Sequence, residues 1–263
     1  MSLMSLLSRD QAPEHLRLPS MLTGYRPKLS FLESLRSLFY LHNQWGNAWV
    51  FIVQIPVSIY FYCKSSSTDH AFDASALLLA SCLIHTPVSI AYHVFMSVGA
   101  DVRCRLKRAD YACIFVMINL ITVAIGWHPF SNGRYNKHIQ YTQVAATVLL
   151  SIASYASTSR TSSRMTRMTR ALLVGAVVLS ALSPIAFAVH RFWGLVACAS
   201  LFFGGTVWAL HFPESVVPVV FDLHMNSHAL MHVAIVVAHV SFYEFIDANV
   251  ANVANVVNVA TVA

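Results

Sequence analysis

Charged residues are scarce in this 263-residue sequence. Asp, Glu, Lys and Arg make up only 11% of it, whereas hydrophobic residues make up 57% and the mean hydropathy is +0.60. A soluble globular domain typically has about 25% charged residues, so this composition excludes an ordinary soluble domain. It predicts an integral membrane protein with several spans, in the plasma membrane or an internal membrane.

Several other signatures are also absent. The five cysteines form no Cys-x-x-Cys pair and mostly lie in or beside apolar runs, so we expect neither disulfides nor cysteine metal ligands. No nucleic-acid-binding motif accompanies the net charge of +6, which basic loops facing anionic lipid explain without nucleic acid. Residues 1–7 are too short and too serine-rich for a signal peptide, so we expect the N-terminus to be retained.

Seven apolar segments predict an all-α membrane protein, a seven-transmembrane helix bundle formed by residues 46–246. Each segment is near the roughly 20 residues that span a bilayer. They lie at about 46–63, 74–98, 109–127, 140–157, 171–189, 192–212 and 226–246. Pro87 and Pro184 predict kinks in the second and fifth spans.

Two segments flank this bundle. In residues 1–45, Ser30 and Glu33 form a capping-box pattern that predicts a short amphipathic helix. Its apolar face would lie either on the membrane surface or against the bundle. Residues 247–263 repeat Asn about every third position and form a low-complexity tail, for which the sequence leaves open whether the last helix continues.

The basic residues predict the orientation. Thirteen of the 17 Lys and Arg residues fall in the N-terminal segment and in the second and fourth loops, and four fall on the opposite side. Because cytoplasmic loops are enriched in Lys and Arg, the N-terminus and the loop Ser157–Arg170 should be cytoplasmic and the C-terminus outside.

The last apolar segment contains two histidines at helical spacing. His228 and His232 are four residues apart, so in an α-helix they share one face and can bind one metal ion. No Glu follows His228, which excludes the His-Glu-x-x-His pattern of soluble zinc proteases. The alternative is ordinary packing, but ionisable groups inside a membrane are costly and usually functional.

The predicted topology brings residues of two other spans to the same depth as these histidines. Ser89 and His93 come late in the second span, and Asp110 begins the third. His93 with His228 and His232 would leave one position of a tetrahedral Zn²⁺ site for water, which is the catalytic pattern. Asp110 would hold that water or take its proton, and Ser89 would bond the water or a substrate oxygen.

Simpler roles remain open for the residues around the three histidines. Asp110 would also suit the N-terminus of the third helix, where the dipole favours a carboxylate. The Ser89 hydroxyl would also suit a bond to the carbonyl four residues back. His85 is interpreted as a packed or pore-facing residue, and His224 and His239 are placed outside the metal shell.

Several motifs, taken in order, resemble the progestin and adipoQ receptor family and its bacterial haemolysin III relatives. These are Gly24-Tyr25-Arg26, Ser37-Leu38-Phe39 with His42-Asn43, Ser89-x-x-x-His93, Asp110-Tyr111, Pro213-Glu214, Phe221-Asp222 and Ser227-His228-x-x-x-His232. The resemblance covers most of the chain. It departs at Gln44-Trp45-Gly46, where the family usually continues Glu-Thr, and in the tail.

The resemblance implies a seven-helix bundle with a cytoplasmic N-terminus and a zinc ion held by His93, His228 and His232. A water held by Asp110 would complete the site, with Ser89 nearby. Members of the family act as receptors for adiponectin or steroids, and the adiponectin receptors resemble ceramide hydrolases. The resemblance therefore implies a ceramide-like or steroid lipid ligand and an extracellular protein ligand.

Two classes of function follow. The first is a zinc-dependent hydrolase of a lipid amide such as ceramide, or a receptor that resembles one. The second is a receptor or scaffold in which zinc only ties the spans together. Both need the same ligands, and an acid beside the metal, Asp110, slightly favours chemistry. A rhodopsin-type receptor is disfavoured by the inverted orientation.

Overall fold

The computed structural model describes residues 5–65, 69–126, 137–160 and 167–262. The prediction of an all-α protein is confirmed, because this part of the chain forms eight α-helices and only one isolated β-bridge. The helices are α1 (Phe31–Arg36), α2 (Trp45–Ser65), α3 (Asp69–Phe95), α4 (Ala100–Ile125), α5 (Lys137–Arg160), α6 (Arg167–Leu182), α7 (Phe192–Leu210) and α8 (Ser227–Val262).

Six of these helices are long and apolar enough to cross a membrane, which confirms a multi-pass integral membrane protein. The six stretches are Trp45–Ser65, Asp73–Phe95, Ala100–Ile125, Met168–Phe187, Phe192–Leu210 and Ser227–Ala251. The fourth predicted span coincides with α5, which has the length but not the hydropathy. Its sequence contains Thr, Ser and Gln in nearly every turn, so composition alone supports six spans and not seven.

The third span begins earlier than predicted. The charged residues before 109 suggested a loop, but α4 starts at Ala100 and continues through them to Ile125. Arg103, Arg105, Lys107 and Arg108 therefore lie on helical turns. Asp110 stands ten residues inside the helix, so it does not cap the helix N-terminus.

The two prolines that predicted kinks occupy different positions in their helices. α6 ends at Leu182 and continues as a 3₁₀ helix, Ser183–Phe187, that contains Pro184. Pro184 therefore follows the end of the α-helix and does not kink its interior, since proline cannot donate the next backbone hydrogen bond. Pro87 does lie inside α3. The tail prolongs α8 as far as Val262, and residues 247–263 contain no Gly or Pro that would interrupt a helix.

The short helix α1 has the predicted capping box. The Glu33 amide donates to Ser30 Oγ at 3.3 Å, and the Ser30 amide donates to Glu33 Oε2 at 2.8 Å. A helix docked against a core buries its apolar side chains. In α1, by contrast, Ser34 is buried while Phe31 and Leu35 are exposed. The apolar face therefore points outward.

The described residues form two compact units. The first comprises Met1–Gln54, His85–Cys113 and Leu201–Val236, and the second comprises Ile55–Ile84, Ile114–Ser200 and Val237–Ala263. In the first unit, residues of the N-terminal segment form a small hydrophobic cluster with the end of α3. The cluster contains Ala12, Leu16, Met21, Tyr25 and Met96.

A glycine allows α7 to lie close to α8 within the first unit. A Cβ on Gly204 would come within 2.7 Å of the Ala234 Cβ and 3.4 Å of the Met231 backbone. These residues flank His232, so the absence of a Cβ at Gly204 allows α7 to lie close to the histidine-bearing turns of α8.

The second unit contains its own buried polar contacts. His239 Nε2 lies 3.2 Å from Ser58 Oγ, which also hydrogen-bonds the Tyr243 hydroxyl at 2.9 Å. Asn249, from the repetitive tail, donates to the His190 carbonyl and accepts from its amide. This part of the tail is therefore a structural element of the unit.

Candidate metal centre

Three histidines meet in the first unit. His93 lies in the last turn of α3, and His228 and His232 lie in the first turns of α8. One ligand atom from each lies within 4.8 Å of the other two, and His93 and His232 are buried while His228 is half-buried. The predicted convergence of these three side chains is therefore present, and the cluster could hold a metal ion.

The geometry of the three rings suits a small tetrahedral ion. The Nε2 atoms of His93 and His232 are 3.2 Å apart. Two imidazole nitrogens bound to zinc at about 2.0–2.1 Å in tetrahedral geometry lie about 3.3 Å from each other. The His228 ring centroid is 5.0 Å from that of His93 and 4.5 Å from that of His232. Three imidazole donors and this 3.2 Å separation are compatible with a bound metal ion, of which zinc is one example.

Gln44 determines which nitrogen of His93 faces the cluster. Its side-chain oxygen lies 2.8 Å from His93 Nδ1 and also accepts a hydrogen bond from Asn47 at 2.9 Å. Because a carbonyl oxygen only accepts, Nδ1 of His93 carries the proton and Nε2 presents its lone pair toward His232. A hydrogen bond from the second ring nitrogen is the usual support of a metal-bound histidine.

This contact predicts the effect of changing Gln44. Gln44→Leu removes the acceptor but keeps a similar volume, so we expect metal affinity to fall about 10- to 100-fold, the usual cost of losing such support. Gln44→Glu retains an acceptor oxygen and should keep most of the affinity. Competition with a zinc chelator measures both variants, and equal affinity of Gln44→Leu and the parent would contradict this role.

Arg26 holds the backbone at His93. Its guanidinium donates to the carbonyl oxygens of His93 at 2.6 Å and Val94 at 2.9 Å, and to Ser37 Oγ at 2.8 Å. These carbonyls end α3, where a cation is favoured by the helix dipole. Burial lowers the pKa of Arg26 to about 9, so the group remains charged at neutral pH. Burial and the charge of Arg26 lower the pKa of His42 to about 2, so His42 is neutral.

The N-terminus of α8 is capped by buried polar groups. Glu214 accepts hydrogen bonds from the amide and the hydroxyl of Ser227, and Asn226 Oδ1 accepts from the Ala229 amide at 3.1 Å. Asn226 also donates to the Asn43 carbonyl at 3.0 Å. An acid at a helix N-terminus is electrostatically favourable. These contacts fix the first turn of α8, and with it His228.

Trp208, near the end of α7, contacts His228. Its indole N–H donates to His228 Nδ1 at 3.2 Å. The contact orients the ring and engages the Nδ1 lone pair. A metal bound through Nε2 requires the ring proton on Nδ1, so such binding would replace the bond from Trp208.

Ser89 and Asp110 are buried and belong to the same unit as the three histidines. Neither contributes an atom to the group of mutually close ligand atoms. The Ser89 hydroxyl has no hydrogen-bond partner, so it does not bond the carbonyl four residues back. Asp110 Oδ1 lies 3.5 Å from His85 Nε2 and likewise makes no hydrogen bond. The carboxylate therefore contacts His85.

Sequence reasoning overlooked the supporting residues of the cluster. His85 was interpreted as packed or pore-facing, yet it lies beside Asp110, and its ring is edge-on to Phe51 at 5.3 Å. The spacing of His85, Ser89 and His93 along one helix face was a usable signal. Gln44 and Arg26 gave no such signal, because their partners are distant in sequence and, for Arg26, are backbone carbonyls.

Comparison with known proteins places the chain in a family. The sequence profile described as "Haemolysin-III related" matches residues 39–243. The mouse (Mus musculus) protein "Progestin and adipoQ receptor family member 4" is 32% identical over 126 residues, 44% of this chain and 44% of the mouse protein. The chain thus matches less than half of that relative's length.

Two other relatives align over most of the chain. The "ADIPOR-like receptor IZH2" of Saccharomyces cerevisiae is 24% identical over 258 residues, 89% of this chain and 80% of the yeast protein. The "Adiponectin receptor protein" of Drosophila melanogaster is 24% identical over 239 residues, 84% of this chain and 54% of the fly protein. Because the profile covers well over half of it, this chain belongs to the haemolysin-III related family, with distant homology to the progestin and adipoQ receptors.

Proposed function

We propose that this protein is a seven-helix membrane protein that binds Zn²⁺ through His93, His228 and His232 and hydrolyses a lipid amide such as ceramide. The observation that carries the proposal is the buried cluster itself, with its two Nε2 atoms 3.2 Å apart. Ionisable side chains inside a membrane protein are costly and usually functional, and here two buried and one half-buried histidine converge.

The hydrogen bonds of α5 support its assignment as the fourth of seven spans. Thr147 Oγ1 donates to the Gln143 carbonyl and Ser151 Oγ donates to the Thr147 carbonyl, so these hydroxyls are satisfied inside the helix. Gln143 donates to the Ser180 carbonyl of α6. Polar groups with internal partners are tolerated within a bilayer, and this compensates for the lower hydropathy of α5.

The proposed reaction adds water to an amide carbonyl, breaks the C–N bond and releases a fatty acid and an amine. A zinc ion bound by the three histidines would polarise the carbonyl and lower the pKa of water. Asp110 is the proposed acceptor of the water proton, which it would pass to the leaving amine. Among the described residues the Ser89 hydroxyl has no hydrogen-bond partner, so it is available to donate to a substrate oxygen.

A receptor or scaffold with a structural metal is the second candidate. It is favoured by the contact of Asp110 with His85, since the carboxylate is not among the mutually close ligand atoms. Two relatives carry receptor names, "ADIPOR-like receptor IZH2" in yeast and "Adiponectin receptor protein" in the fly. Under this alternative the protein binds a steroid or ceramide-like lipid, or an extracellular protein, without turnover.

Metal analysis and ceramide turnover on the same purified protein test both candidates. The hydrolase proposal expects stoichiometric zinc and release of fatty acid that stops after chelation and resumes when zinc is restored. If the protein bound zinc but its turnover were no higher than that of the chelated sample, the structural role would be supported. Absence of any bound transition metal after purification in zinc-containing buffer would overturn both.

The orientation is a separate prediction. The proposed topology places the N-terminus and the loop Ser157–Arg170 in the cytoplasm and the C-terminus outside, on the 13 to 4 distribution of basic residues. Residues 161–166 of that loop lie outside the described residues. A glycosylation acceptor engineered after residue 263 should be modified in cells, and one engineered before residue 5 should not. The reverse pattern would refute the topology.

A further inference from the structure

The connection between α7 and α8, residues 211–226, has an unusual surface. We refer to it as the valine loop. Its exposed side chains are Phe212, Ser215, Val216, Val217, Pro218, Val219, Val220, His224 and Met225. None is Asp, Glu, Lys or Arg, and Val216 and Val220 are 68% and 58% exposed. Loops in water normally expose polar residues, whereas the exposed surface of this loop is mainly apolar.

The two acids of the valine loop point inward. Asp222 accepts from the Leu22 amide at 2.9 Å, the Thr23 amide at 2.8 Å and the Thr23 hydroxyl at 3.0 Å. Glu214 accepts from both polar groups of Ser227. Each acid is at most 1% exposed. A non-helical segment can lie at membrane depth only when most of its polar groups are satisfied within the protein. Glu214 and the Oδ2 atom of Asp222 meet this condition, whereas Oδ1 of Asp222 is buried without a hydrogen-bond partner among the described residues.

The apolar surface of the loop is continuous along the chain with that of α7. Phe202, Phe203 and Leu210 are exposed on this helix, one of the six that are long and apolar enough to span a membrane. Phe212 follows two residues after the helix ends. The exposed apolar side chains therefore pass from the span into the loop without an intervening charge.

Residues 28–39, which contain α1 and are referred to as the α1 segment, also bury polar and expose apolar side chains. Ser34 and Ser37 are buried, whereas Leu32, Leu35 and Phe39 are exposed. The exposed charged residues of this segment are the basic Lys28 and Arg36 and one acid, Glu33. Apolar side chains with adjacent Lys and Arg are typical of segments that lie at the boundary between acyl chains and anionic headgroups.

From these observations we propose that the valine loop and the α1 segment are inserted into one membrane leaflet, at the level of the upper acyl chains and headgroups. The partner is the lipid itself. The loop thus adds a membrane contact between the last two spans, where the sequence alone predicted a connection in the cytoplasm. This proposal depends on neither metal binding nor hydrolysis.

Spin-label accessibility in lipid nanodiscs tests this placement. Cys63 and Cys104, the exposed native cysteines, are first replaced by Ser, and single cysteines are then introduced as Val217→Cys, Val220→Cys and Leu35→Cys. Glu14→Cys is the matched control, because it is exposed and belongs to the same unit. The preparation without a new cysteine gives the labelling background, and full-length protein is used throughout.

Each label is exposed to oxygen, which concentrates in lipid, and to a charged nickel chelate, which stays in water. The ratio of oxygen to nickel collisions should be several-fold higher at positions 217, 220 and 35 than at position 14. Nickel accessibility at 217 and 220 equal to that at 14 would place the loop in water. Low accessibility to both reagents would mean that another protein surface covers it, and either result overturns the proposal.

Discussion

Replacing His93, His228 and His232 together by Ala is expected to remove the bound metal completely. Zinc content should fall from one ion per chain to the level of a chelated parent, because no other group of three ligand atoms as close as these was found among the described residues. Since metal binding also contributes folding free energy, the melting temperature should fall, and the parent should lose the same amount on chelation.

A matched control separates loss of the site from a general effect of removing histidines. His224 lies exposed in the valine loop, two residues before the Asn226 cap, and is not one of the three mutually close ligands. His224→Ala should therefore retain zinc and the chelator-dependent stability. If the triple variant kept as much metal as the parent, the ligands would have to be sought elsewhere in the chain.

The convergence of the three histidines was predictable from sequence because helical spacing is a local property. His228 and His232 share a face wherever the helix forms, and the order of the spans brings His93 to the same end. Their supports were not predictable in the same way. Gln44 reaches His93 across 49 residues, and Arg26 binds backbone carbonyls, which leave no trace in the sequence.

The errors at helix boundaries have a related cause. Sequence reasoning placed the start of the third span after the charged residues, since charges are expensive in a bilayer. Yet a helix can extend beyond the apolar region, and Arg103 to Arg108 continue the same backbone pattern. This extension is why Asp110 lies inside α4, where its carboxylate contacts His85 and does not cap a helix N-terminus.

The Asp110→Asn variant is expected to keep zinc and to lose nearly all turnover of a ceramide-like amide. Asparagine has the size of aspartate and can still contact His85, but it cannot accept the proton of the attacking water. General-base assistance typically contributes about 10²–10⁴ in rate, so the loss should be of that size. Metal content measured on the same preparation shows that the site itself is intact.

His85 provides the comparison that interprets this loss. His85→Gln removes the imidazole beside the carboxylate and leaves Asp110 able to accept a proton, so turnover should fall less than in Asp110→Asn. If Asp110 instead served only the packing of α3 against α4, both variants would lower stability and neither would change turnover per folded, zinc-loaded protein. Equal turnover of Asp110→Asn and the parent would therefore remove the carboxylate from the mechanism, while the three histidines would remain the metal ligands.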